Sequence, residues 1–228
     1  MSGGLNEGNQ DGAAGHGAVV VLHTGQDWAM KSGIGIYSAS AREPVRFVQE
    51  SNARLVLLAD TALELSPAIR AVCPEILIIG RKWFQYQDIP LDPQLAYSKG
   101  ESVAFQLPFQ QFPTVDVWQS YNEYLTNDSS PQEWHTAAQF ELGFTRRMHQ
   151  LGKQSCVLNI AVGNGTAIQL ETFRDTLQEA DFLGYHAYTA PDGQVDLWHT
   201  ERFSLWVEAY RSRGWRFPPI ILTETGPY

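Results

Sequence analysis

Two cysteines, Cys73 and Cys156, are all that the 228-residue chain contains. That is too few for the disulfide framework of a small secreted scaffold. Each lies against an expected core strand, so both are read as buried free thiols. Basic residues are scarce as well. Sixteen Lys and Arg face 25 Asp and Glu, for a net charge of −9. This balance argues against a nucleic-acid partner or an anionic membrane surface, since both call for clustered Lys and Arg. No apolar run approaches the roughly 20 residues of a membrane-spanning helix. Residues 1–17 have neither a basic start nor an apolar stretch after it, so no signal peptide is expected. Their Gly-, Asn- and Asp-rich composition predicts a flexible tail. None of this fixes a cellular compartment. The chain has no G-x-S-x-G, no Walker A loop and no H-E-x-x-H. Its six histidines show no metal-ligand spacing. No metal and no cofactor are expected.

What is present is a repeat of short β-branched apolar runs, each followed by a stretch with helical spacing. This is the pattern of βαβ units around a parallel sheet, and the runs are continuous enough to be buried on both faces. Strands are predicted at 33–38, 55–59, 75–79, 115–121, 156–161, 182–187 and 219–223. Helices are predicted at 44–52, 62–72, 131–151, 167–179 and 201–213, and 80–113 is read as a long irregular stretch. Long loops of that kind are usually functional. One more apolar run, 18–23 (AVVVLH), precedes the first strand. The fold expected for 18–228 is therefore a single (β/α)8 TIM-barrel domain of class α/β. It is incomplete at its C-terminal end, because seven units are visible and an eighth strand is missing. A full barrel needs about 250 residues. The run at 18–23 is a candidate to fill the gap. An open barrel edge would also invite self-association.

In such a barrel the chemistry sits where strands open into the loops that follow them. The fourth strand ends Tyr121-Asn122-Glu123-Tyr124 and the seventh ends Leu222-Thr223-Glu224-Thr225. An ionised carboxylate is costly to bury without a partner, and two of them, three units apart, can face each other across the mouth. Two opposed carboxylates are what cleavage of a glycosidic bond requires: one protonates the leaving oxygen, the other attacks the sugar carbon or activates water.

Asn122-Glu123 after the fourth strand and Glu224 after the seventh resemble the pattern of clan A of the glycoside hydrolases. The resemblance covers 33–228 as a topology and is motif-level at those two points alone. It implies Glu123 as acid/base, Glu224 as nucleophile, Asn122 as the contact to a sugar 2-hydroxyl, and an oligosaccharide or polysaccharide substrate. In the clan, the sixth strand end often carries an aromatic residue or His beside the nucleophile, which marks Tyr188 and His186. Trp83 and Trp198, in loops after strands, are candidates to stack on sugar rings, and Arg81 is a candidate to orient a carboxylate. Asp60 is read as a helix cap and 162–165 as a turn. The clan's arginine near the end of strand two has no counterpart there. Two other readings stand beside the hydrolase. One is a non-catalytic carbohydrate-binding or inactive truncated barrel. The other is a barrel enzyme of another class, a lyase or a metal-dependent hydrolase with Glu123, His186 and Glu224 as ligands.

Overall fold

The structure, a computed structural model, describes residues 33–37 and 43–226. The expected tail and the run at 18–23 lie outside them. Seven strands form one parallel sheet in chain order: β1 Gly33–Ile36, β2 Leu55–Ala59, β3 Leu77–Arg81, β4 Val117–Gln119, β5 Gln154–Ile160, β6 Phe182–Tyr188 and β7 Ile220–Gly226. The helices between them are α1 Pro44–Glu50, α2 Ser66–Val72, α3 Pro93–Gln106, α4 Pro131–Gln150, α5 Ala167–Glu171, α6 Arg174–Glu179 and α7 Phe203–Ser212. The sheet curls almost into a closed barrel, so that Arg81 on β3 reaches Glu224 on β7. This is the expected incomplete (β/α)8 barrel. Among the described residues no helix is long and apolar enough to cross a membrane.

Strand residues alternate between two packed layers, as the two-residue period of a strand requires. Leu55, Leu57, Ile79, Val117, Cys156, Phe182 and Ile221 fill the barrel interior. Val56, Leu58, Ile78, Trp118, Val157 and Leu183 face the helices. The alternation slips twice. In β5 the register shifts between Val157 and Ile160, and in β7 Thr223 is the extra residue between the pairs Tyr185–Leu222 and His186–Glu224.

Several boundaries differ from expectation. β3 starts and ends two residues later than predicted, which places Arg81 within the strand. The stretch 80–113 is not wholly irregular, because it contains the 14-residue helix α3. Asp92 caps that helix by accepting from the Leu95 amide, and Pro93 stands at its first turn, a start signal masked by surrounding prolines and aromatics. The predicted helix at 62–72 begins as a 3-10 turn over Asp60–Leu65, and the one at 167–179 is broken into α5 and α6. Helix α4 matches its prediction closely, with Ser130 and Glu133 forming a reciprocal capping box. Both thiols are free; Cys156 is buried, whereas Cys73 is only half-buried.

Helices α3 and α4 pack at backbone contact. A Cβ at Gly143 would stand 2.2 Å from the Tyr97 carbonyl oxygen, and one at Gly100 would stand 1.9 Å from that of Phe140. Backbone on both sides leaves nothing flexible to yield. Gly143→Ala is expected to push the helices apart and cost about 1–3 kcal/mol, typical of overpacking. At roughly 2–4 °C per kcal/mol for a chain of this size, circular dichroism will register the thermal midpoint falling by several degrees.

Candidate active site at the barrel mouth

The strand ends deliver a polar cluster to one end of the barrel. Arg81 follows Ile79 on the inward face of β3 and is 8% exposed. Gln119 follows Val117 on β4 in the same way, and its side-chain oxygen accepts from Arg81 Nε at 2.5 Å. From β6 come His186, fully buried, and Tyr188. Glu224 would face outward if β7 kept its alternation beyond Leu222. The extra residue at Thr223 turns it inward, since a one-residue slip moves every later side chain to the opposite face.

Glu224 is the most heavily engaged member. Arg81 Nη1 donates to its Oε1, and the Tyr188 hydroxyl donates to its Oε2 at 2.7 Å. His186 Nε2 lies 3.6 Å from Oε1. Burial alone would raise this carboxylate. The nearby charges of His186 and Arg81, with hydrogen bonds from Arg81 and Tyr188, outweigh it and hold Glu224 below the usual carboxylate range. The same arrangement acts on its neighbours. Burial, and then the bond to Glu224, raises the Tyr188 hydroxyl. Tyr37, 42% exposed just after β1, holds its ring 5.9 Å from the Arg81 guanidinium.

Glu123 enters from the loop after β4 with φ 54°, left-handed for a residue that has a Cβ. Such a conformation costs of order 1–3 kcal/mol and persists where surroundings enforce it. Here the enforcement is visible on both sides. Gln87 clamps the backbone of the preceding residue, accepting from Asn122 N at 2.5 Å and donating to Asn122 O at 2.8 Å. On the other side the Asn159 carbonyl accepts from Glu123 N at 3.1 Å. The carboxylate, 44% exposed, meets His186 Nδ1 at 2.6 Å. His186 therefore stands between the two acids. One oxygen of each Glu and a ring nitrogen of His186 lie within 4.8 Å of one another.

The expected site residues thus divide. Glu123 with His186 and Glu224 with Tyr188 form two hydrogen-bonded pairs, and His186 Nε2 stands 3.6 Å from Glu224 between them. Asn122 adjoins Glu123, and its buried Oδ1 accepts from no donor among the described residues. Trp83 and Trp198, 68% and 55% exposed, stand apart, and no hydrogen bond or ring contact joins either to the acids among the described residues. Trp198 rests on Arg202, whose guanidinium carbon lies 3.8 Å from the ring centre and whose Nε donates to Gly165 O at 2.7 Å. Asp60 does not cap a helix; its Oδ1 accepts from the Trp83 amide at 2.7 Å and pins the loop after β3. The segment 162–165 is a turn, with Gly163 and Gly165 at positive φ. The arginine that meets Glu224 is Arg81 on β3, and no arginine at the end of β2 does so among the described residues.

The same three residues could hold a cation, but their present geometry suits proton transfer better. Two donors sharing zinc at about 2.0–2.2 Å in a tetrahedral site stand roughly 3.3–3.6 Å apart. The 2.6 Å between Glu123 and His186 is a hydrogen bond, and Arg81 already occupies Glu224 with a positive charge.

Sequence reasoning passed over Gln87, Gln119, Asn159 and Glu141. The last left a signal. Glu141 falls on the apolar stripe of α4 with Trp134, Ala137, Ala138 and Met148, where a carboxylate is out of place. It is fully buried behind β4 and β5, and burial pushes it up to about 7 against hydrogen bonds from Tyr124, Ser120 and the Leu158 amide.

No family model matches the chain, and no curated protein matches it. Solved structures do. A β-glucuronidase from Bacteroides uniformis superposes with TM-score 0.52 at 15% identity, over 81% of this chain and 22% of that one. The catalytic domain of a mannanase from Streptomyces sp. SirexAA-E superposes with TM-score 0.51 at 13% identity, over 98% and 76%. The chain thus spans about a fifth of the glucuronidase and three quarters of the mannanase domain. At these identities the likeness establishes the barrel fold, and that fold agrees with the clan A resemblance.

Two outcomes follow from the charges. In Arg81→Met, Glu224 loses its main cationic partner, and its titration is expected to move upward in carbon-13 spectra of labelled Glu. A depressed carboxylate stabilises the fold above its unfolded value and ceases to as pH falls through its folded value. The stability gap between wild type and Arg81→Met should therefore be widest near neutrality and close on acidification. Glu141 has the opposite sign. Its folded value lies above its unfolded one, so its contribution is greatest at low pH and declines as pH rises from 4.5 to about 7. At about 1.4 kcal/mol per unit, the decline is about 3 kcal/mol. Urea unfolding across this range should show that part of the slope missing in Glu141→Gln.

Proposed function

We propose that the chain is the catalytic barrel of a retaining glycoside hydrolase, cleaving O-glycosidic bonds of an oligosaccharide or polysaccharide with Glu224 as nucleophile and Glu123 as acid/base. The observation that carries this reading is the pair of carboxylates, with oxygens within 4.8 Å of each other and His186 between them. Retention goes with carboxyl groups about 5–5.5 Å apart, and inversion with about 6.5–9.5 Å, to leave room for water.

The surroundings of the two acids support distinct roles. Glu224 is held ionised by Arg81, His186 and Tyr188, the state in which a carboxylate attacks an anomeric carbon. As that bond forms, the bond to the leaving oxygen breaks, and the oxygen takes a proton from Glu123. Glu123, now a carboxylate, then removes a proton from water; the hydroxide formed attacks the anomeric carbon and releases Glu224. His186 stands between the acids, hydrogen-bonded to Glu123 and 3.6 Å from Glu224. Asn122, directly before Glu123, is assigned the contact to a sugar hydroxyl, and Trp83 and Trp198 offer exposed faces for the apolar sides of sugar rings. The β-glucuronidase and the mannanase that share the fold are both glycosidases, which favours this class over a lyase or a metal-dependent hydrolase.

The test is a hydrolysis screen against a panel of nitrophenyl glycosides and polysaccharides, followed by Glu224→Gln. The variant should lose turnover and keep sugar affinity by calorimetry, and the wild-type product should keep its anomeric configuration by NMR. Undiminished turnover in Glu224→Gln would falsify the mechanism. Sugar binding by a wild-type chain that turns nothing over would assign a binding barrel instead.

A further inference from the structure

We propose that Glu141, on the helix behind the sheet, is a positioning residue that sets the catalytic geometry of Glu123 without touching substrate. The proposal deepens the hydrolase reading and rests on it for its kinetic consequence. Three donors converge on Glu141 Oε1: Ser120 Oγ at 2.7 Å, Tyr124 OH at 2.6 Å and Leu158 N at 2.9 Å. They bracket Glu123. Ser120 precedes it, one residue beyond β4, and Tyr124 follows it directly. Leu158 precedes Asn159, whose carbonyl holds the Glu123 amide.

Leu158 shows why a carboxylate stands there. The register shift in β5 leaves Leu158 at φ 71° and Asn159 at φ 40°, left-handed positions that a bulky side chain adopts only under constraint. A bulge also takes an amide out of the sheet ladder, and a buried amide needs an acceptor. Glu141 supplies it. With the bulge fixed, Asn159 points inward, where its Oδ1 accepts from Gln119 at 2.5 Å and its Nδ2 donates to Tyr121 O at 3.0 Å. One acid on the outer layer thus secures the strand end before Glu123, the residue after it and the carbonyl that orients its peptide. Its other oxygen, Oε2, is buried with no hydrogen-bond partner among the described residues. An apolar residue would fill this place on the α4 stripe without burying such an atom, so packing alone does not account for a Glu.

Glu141→Gln keeps an acceptor at the Oε1 position, and Glu141→Leu removes it. The first measurement needs no substrate: amide hydrogen exchange on the full chain. In the Leu variant the Leu158 and Glu123 amides should exchange at least about tenfold faster, while Val56 and Leu58 on β2 stay unchanged. The Gln variant should resemble wild type at all four. Unchanged exchange at Leu158 and Glu123, or equal acceleration across the sheet, overturns the proposal. The second measurement uses aryl glycosides with the sugar that the screen identifies. Proton donation by Glu123 matters for phenyl leaving groups and hardly for dinitrophenyl ones. The Leu variant should therefore lose about 100-fold in kcat/KM on the phenyl glycoside, within the usual range of acid catalysis. It should lose little on the dinitrophenyl glycoside, and Gln should restore most of the loss. Equal losses on both overturn the link to Glu123. If wild type hydrolyses no glycoside, the hydrolase reading fails by itself, and exchange alone decides whether Glu141 fixes the loop.

Discussion

A parallel strand shows alternate residues to opposite sides, and the groups at the barrel mouth arrive there by that rule or by a single-residue breach of it. Arg81, Gln119, His186 and Tyr188 keep step with the interior residues below them on their strands. Glu224 and Asn159 do not. Each points inward only because one residue has been slipped into its strand, at Thr223 in β7 and within 157–160 in β5. A slip takes an amide out of the ladder and alters the local twist. It is worth that cost only if something catches the freed groups. For β5 the helix behind the sheet catches them. For β7 the catch lies in front, where Arg81 and Tyr188 bind the redirected carboxylate.

Charge at the mouth is arranged in alternation. Glu123, His186, Glu224 and Arg81 follow one another as acid, base, acid, base, and Gln119 and Asn159 extend the line as neutral hydrogen-bonding groups. No carboxylate in the line is left beside another without a basic group between. The acids are unequal as a result. Glu224 is enclosed on three sides and polarised by two of them, whereas Glu123 has one strong partner and an open flank. One acid is fixed and the other reaches solvent, an arrangement that the proposed two-stage displacement would use to admit water in its second stage.

The repeat of apolar runs and helical stretches made the barrel legible, because buried parallel strands and amphipathic helices differ so plainly in period. It also located both acids, since the ends of β4 and β7 are where a barrel exposes chemistry. What escaped was of two kinds. Helix α3 was hidden because its stretch is dense in proline and aromatic residues, and its Asp92-Pro93 start is one short signal among many. The supporting residues escaped for a different reason. Whether Gln119 or Asn159 faces inward depends on parity, and parity through β5 depends on a bulge that no residue type announces. Arg81 shows how narrow the margin is. A strand placed two residues early leaves it in a loop, and placed correctly it is the main partner of Glu224. Glu141 could have been found by asking why an acid sits on an apolar stripe.

Trp198 belongs to the loop after β6, yet its seat is built elsewhere. Arg202 beneath it is fastened to the carbonyl of Gly165, which the Trp206 indole also engages at 2.9 Å. The Gly165 amide in turn donates to Asn127 Oδ1 at 3.1 Å, on the loop after β4. Three separate crossings of the rim are thereby coupled through one residue, Gly165. The exposed indole face is thus indexed to the same loop that presents Glu123. The position of that face is therefore set by bonds to the scaffold rather than by the excursion of a free loop.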